Sequence, residues 1–114
     1  MGVRLTILDK NKKMIYNGSK LCGYADKEDL SCIKWLLNKG KIDEETYNYF
    51  DEIVGCSDFK DIYMNAKDIK DFLKLYIADG DDYYKGEFSY YFCKQPEIQK
   101  IMRSRTKEYY LTWW

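Results

Sequence analysis

Histidine is absent from all 114 residues. That excludes Ser-His-Asp and Cys-His catalysis, a histidine general base, a histidine metal ligand and a histidine pH switch. Proline occurs once, and the only arginines are Arg4, Arg103 and Arg105. No run approaches the ~18 to 20 apolar residues that cross a bilayer, so no membrane partner is expected. Residues 1–13 alternate apolar and charged side chains where a signal peptide would carry a continuous apolar stretch, which points to a cytoplasmic protein. Cys22, Cys32, Cys56 and Cys93 form no C-x-x-C pair. In that compartment they are expected to be reduced and to pack as small apolar residues, with no metal and no other cofactor. A P-loop, a G-x-G-x-x-G, a G-x-S-x-G elbow and an H-E-x-x-H are missing too, which removes most recognisable enzymes.

Charge of either sign is not in excess: 19 basic and 19 acidic residues give a net charge of zero. A duplex nucleic acid is therefore not an expected partner, since its ligands are normally basic. The neutrality is unevenly distributed. Residues 1–41 carry a balance of +5, residues 42–93 of −8 and residues 94–114 of +3. Should both ends lie on one side of the fold, the molecule has one face able to attract anions and another able to mimic them.

Aromatic residues are abundant instead, at 18% of the chain with twelve Tyr and three Trp. The spacing of apolar residues predicts an α+β fold over residues 1–114 as one compact domain. Its parts are an N-terminal hairpin, aromatic C-terminal strands in a small mixed or antiparallel sheet, and about four helices covering it. Val3, Leu5 and Ile7 alternate as a strand, and Met14 to Tyr16 continues as a second before Asn17-Gly18 turns the chain into Ser19 to Tyr24. Asp26 is placed to cap a helix with the stripe Leu30, Ile33, Leu36 and Leu37. Asp43 is placed to cap a second, with Tyr47, Phe50, Ile53 and Val54 inward. Phe59 to Met64 reads as a strand. Asn65 then caps the clearest helix, with Ile69, Phe72, Leu73, Tyr76 and Ile77 on one face and a stop at Asp79-Gly80. Phe88 to Phe92 reads as an aromatic strand, Pro96 opens a brief helix, and Lys107 to Trp114 alternates as a terminal strand expected beside the N-terminal one.

Four groups of residues could carry function. Asp58-Phe59-Lys60 and Asp68-Ile69-Lys70 have the D-x-K form of a metal-dependent nuclease or phosphohydrolase site, although such tripeptides arise freely where a third of residues are charged. Asp79, Asp81 and Asp82 begin like a calcium loop but lack its third ligand and its bidentate Glu. In the tail, Lys100, Arg103 and Arg105 run into Tyr109, Tyr110 and Trp114. Arginine forks for phosphate next to rings that stack on a base are what an anionic nucleotide-type ligand uses. The fourth group is an acidic patch with surface aromatics, Glu44, Asp81, Asp82, Tyr83, Tyr84 and Tyr91. Adjacent tyrosines force one ring of each strand pair off the core face, and Tyr is favoured at interfaces.

Lys, Tyr, Ile, Asp and Asn dominate while Ala, Pro and Arg are scarce. This composition resembles small accessory proteins of AT-rich bacteria and their phages. The resemblance implies a stoichiometric inhibitor or sequestering protein of counter-defence type, acting on a host or defence protein. A sequestering protein for a nucleotide-type signalling ligand is the alternative, and a metal-dependent hydrolase the third. The surface rings also lead us to expect a homo-oligomer.

Overall fold

A computed structural model describes residues 3–114. Strand β1 (Leu5–Asp9) turns through Asn11 and Lys12 into β2 (Met14–Asn17). The Asp9 carboxylate fixes that turn by accepting from the backbone N–H groups of Asn11 (2.8 Å) and Lys13 (3.0 Å), and Lys12 takes the left-handed conformation, φ 61°. Strands β3 (Ile62–Met64) and β4 (Tyr109–Trp113) complete an antiparallel sheet in the order β2-β1-β4-β3. The last strand therefore lies beside the first, as its alternating pattern predicts.

Between β2 and β3 the chain forms α1 (Leu21–Tyr24), a 3-10 turn (Lys27–Asp29), α2 (Ser31–Asn38), α3 (Glu44–Asn48) and α4 (Phe50–Ile53); α5 (Ala66–Tyr83), α6 (Phe88–Phe92) and α7 (Pro96–Arg103) precede β4. Helix starts follow local chemistry: Asp43 accepts from Thr46 N–H and Asn65 from Asp68 N–H, both at 2.8 Å, and Pro96 occupies the first turn of α7, where its missing donor costs nothing. One sheet face is core. Leu5, Ile7, Ile62, Met64, Leu111 and Trp113 point into it and meet Ile69, Phe72, Leu73 and Tyr76 of α5. Trp113 sits among Phe50, Phe59 and Phe72, with ring centroids at 5.2, 5.4 and 6.2 Å. Its buried indole N–H has no oxygen or nitrogen partner among the described residues and faces the Cys22 thiol.

Several elements depart from expectation for identifiable reasons. Asp79-Gly80 does not end α5, which runs on to Tyr83. Asp79 turns inward instead, and its carboxylate accepts from the backbone N–H groups of Ser31 (3.0 Å) and Cys32 (2.9 Å). It thereby does for α2 what Asp26 was expected to do; Asp26 starts only the 3-10 turn and makes no side-chain cap. Gly80 is packed so closely that a Cβ there would lie 2.2 Å from the Phe88 ring. The segment Phe88–Phe92 is helix, not strand. Phe88 and Phe92, four residues apart, both pack on Tyr76 at 5.7 and 5.6 Å and stack on each other at 5.1 Å, so tertiary contact at helical spacing overrides aromatic β-propensity. Ser19 to Tyr24 does not extend the meander, since Leu21–Tyr24 is a helical turn. The second helix breaks at Tyr49 into α3 and α4.

Candidate functional site

The tail residues do not converge. Tyr109 belongs to the core side of β4 and is 3% exposed, so its ring offers no stacking face. Tyr110 points the opposite way, half-buried, with the Tyr63 ring edge-on at 5.9 Å and the Lys12 ammonium 4.8 Å from its centroid. Trp114 is 66% exposed on that same side. Arg103 and Arg105 are both exposed, and Arg103 reaches Gln99 on its own helix at 3.4 Å. Of the tail set, only Lys100 and Tyr109 line a common cavity, a cleft of about 670 Å³ against the β1–β2 turn, and neither arginine borders it. Strand alternation, which separates neighbouring side chains to opposite sheet faces, is what divides the set.

The acidic and tyrosine group is partly structural. Asp81 caps α6 by accepting from Ser89 N–H at 2.7 Å, whereas Glu44 and Asp82 are exposed. Tyr84 stacks on Phe88 at 5.7 Å and is half-buried, and burial pushes its phenol pKa up. Tyr83 is exposed with its hydroxyl 3.5 Å from the Tyr24 carbonyl, and Tyr91 is exposed edge-on to Tyr90. Of the D-x-K tripeptides, Asp68 forms a 2.8 Å ion pair with Lys41, a partly buried contact that ties α5 to the loop after α2. Among the described residues, no three Cys, Asp or Glu side chains are grouped to hold a metal ion.

A set of residues that, apart from Tyr110 and Trp114, the sequence did not single out lies on the sheet face the helices leave open. The register places Leu8 opposite both Met14 and Tyr110, and Tyr110 opposite Tyr63. Met14, Leu8, Tyr110 and Tyr63 thus form one apolar row across all four strands. Beside it runs a polar row, in which Asn17 donates to the Thr6 hydroxyl at 2.7 Å and Thr6 stands opposite Thr112. Beyond that, Arg4 and Trp114 exchange two backbone hydrogen bonds (3.2 and 2.9 Å), which sets their side chains next to one another on this face. Met14, Tyr63 and Trp114 are 50%, 43% and 66% exposed. Cys56, Ser57, Phe59, Asp61 and Trp114 border a groove of about 350 Å³ above Thr6, Leu8 and Thr112.

Electrostatics on this face is mostly settled internally. Lys12 pairs with Asp61 at 3.4 Å, and Lys41, already held by Asp68, also donates to the Tyr63 carbonyl at 3.2 Å. The Tyr63 hydroxyl donates to Glu108, and that hydrogen bond raises the phenol pKa. Arg4 is exposed and, among the described residues, has no carboxylate within 4 Å. The signal that could have identified this face was the pairing of even-numbered residues on the first and last strands. It becomes readable only once their register is known. Comparison with known proteins finds no matching family model, no similar curated protein and no similar solved structure.

Proposed function

We propose that this is a non-enzymatic binding protein that acts stoichiometrically on another protein, as an accessory inhibitor or sequestering protein of counter-defence type. The observation that carries the reading is the apolar row Met14, Leu8, Tyr110 and Tyr63, flanked by Arg4 and Trp114, on the helix-free sheet face. Trp, Tyr and Arg are the residues that concentrate binding energy at interface centres. Four strands spaced about 4.8 Å apart and three to five residues long present roughly 250 Å². A standard interface covers about 800 Å² per partner, so this face supplies the centre of a contact whose rim extends over Cys56, Ser57 and Asp61. Nucleic acid is disfavoured as the occupant, because Lys12 and Lys41 are already neutralised by Asp61 and Asp68. Arg4 is the cation left to receive a carboxylate of the partner. The nucleotide-stacking alternative loses support because its arginines and rings are spread over different surfaces.

The test is dose. The partner is captured from the host, identified and purified, and its activity is titrated with this protein in the presence and absence of a chelator. A stoichiometric binder is expected to titrate that activity to an endpoint at a fixed molar ratio, with or without chelator. Loss of the partner's activity at a small fraction of one equivalent, growing with time and abolished by chelator, would instead establish a metal-dependent hydrolase.

A further inference from the structure

We propose that the cleft between the β1–β2 turn, α7 and the segment entering β4 binds a small phosphate-bearing anion, with Lys10, Lys100, Lys107 and the Tyr109 hydroxyl as its donors. This site lies on the helix side of the sheet and is independent of the sheet-face reading. Its volume, about 670 Å³, falls in the range of small-molecule sites. The formal charge of its lining is balanced, but the carboxylates are not equally placed. Asp9 spends its oxygen on the two N–H groups of the hairpin turn, and Glu108 is drawn to Tyr63 on the opposite sheet face. Glu97 remains as the one lining carboxylate with no donor among the described residues. Beside these three carboxylates stand three ammonium groups, none of which has a carboxylate within 4 Å among the described residues.

Tyr109 is the independent sign of a ligand. It is only 3% exposed, it lines this cleft, and its hydroxyl makes no hydrogen bond among the described residues. Buried hydroxyls normally find a partner, and a phosphate oxygen supplies one here. Flexible lysines act as point charges that gather round a tetrahedral anion, while Ile15 and Ile101 give the cleft an apolar floor. With the Tyr109 ring itself covered, recognition runs through phosphate and aliphatic contact without base stacking.

The experiment is a two-dimensional amide NMR titration at near-physiological salt, with sodium pyrophosphate and with ATP as probes. Saturable shifts are expected at Asn11, Lys100, Thr106 and Lys107. Equal affinities would mark phosphate as the group recognised, and a tighter ATP would place the nucleoside on Ile15 and Ile101. Tyr109→Phe removes an unpartnered hydroxyl, so it should fold like the parent and bind about tenfold more weakly. Lys100→Gln with Lys107→Gln should weaken binding further, and Glu97→Gln should strengthen it. The proposal is overturned if shifts fail to saturate through about 10 mM probe. It is equally overturned if exposed Lys34 and Lys74 respond as strongly as the cleft, or if Tyr109→Phe binds like the parent.

Discussion

Cys22 and Cys32 lie in the core near Asp79 and Tyr76, where burial pushes both thiols above their ordinary range. Cys56 is half-buried and Cys93 is exposed. Thiolate is the reactive form, so at mildly alkaline pH the raised pKa and the burial act in the same direction. A maleimide added to native protein should label Cys56 and Cys93 within minutes and leave Cys22 and Cys32 untouched until denaturant is added, as read by intact mass. The spacing of the cysteines argued for small apolar residues, and for this core pair the environment agrees. Single aromatic residues were harder to place. Tyr83 and Tyr91 are exposed as the doubled tyrosines suggested, but Tyr84 is held half-buried by its stack on Phe88. Tyr109 and Tyr110, adjacent in sequence, serve opposite faces. Which ring of a pair turns inward depends on the partner element, and a ring's own neighbours in sequence carry no record of that.

At the scale of elements, periodicity located β1, β2, α5, α7 and β4 because each buries one continuous face, and Asn65, Asp43 and Pro96 mark helix starts through purely local bonds. The misplaced boundaries all involve a group recruited by a distant element. Asp79 and Gly80 have the composition of a helix stop, but the first caps α2 across 47 and 48 residues and the second admits Phe88. Asp79→Ala should cost roughly 2 kcal/mol, the loss of a cap together with two buried or half-buried N–H groups left without an acceptor. Urea unfolding measures it directly. Asp79→Asn, which keeps one acceptor oxygen, should fall between parent and Ala. Equal stability of all three would show that water satisfies the α2 terminus and that the α2–α5 junction is held by apolar packing alone.

For the whole molecule, pairing of β1 with β4 brings the two basic ends of the chain together, and Lys10 from the first block lines the same cleft as Lys100 and Lys107 from the last. It also creates the open sheet face, since Arg4, Thr6 and Leu8 meet Trp114, Thr112 and Tyr110 only through that register. The net neutrality of the composition thus conceals an aromatic face with an unpaired arginine on one side of the sheet and a lysine-lined cleft on the other. No helix among the described residues is long and apolar enough to cross a membrane. Whether this face is the binding surface is read by calorimetric titration of the purified partner. Arg4→Ala, Met14→Ser and Trp114→Ala alter exposed side chains, and together they should weaken binding by about a hundredfold or more, given roughly 2 kcal/mol per central residue. Glu44→Lys, Asp82→Lys and Tyr91→Ala should leave the Kd within about twofold of the parent. Loss of binding in the second set with full affinity in the first would contradict the account and move the interface to the acidic, tyrosine-rich side.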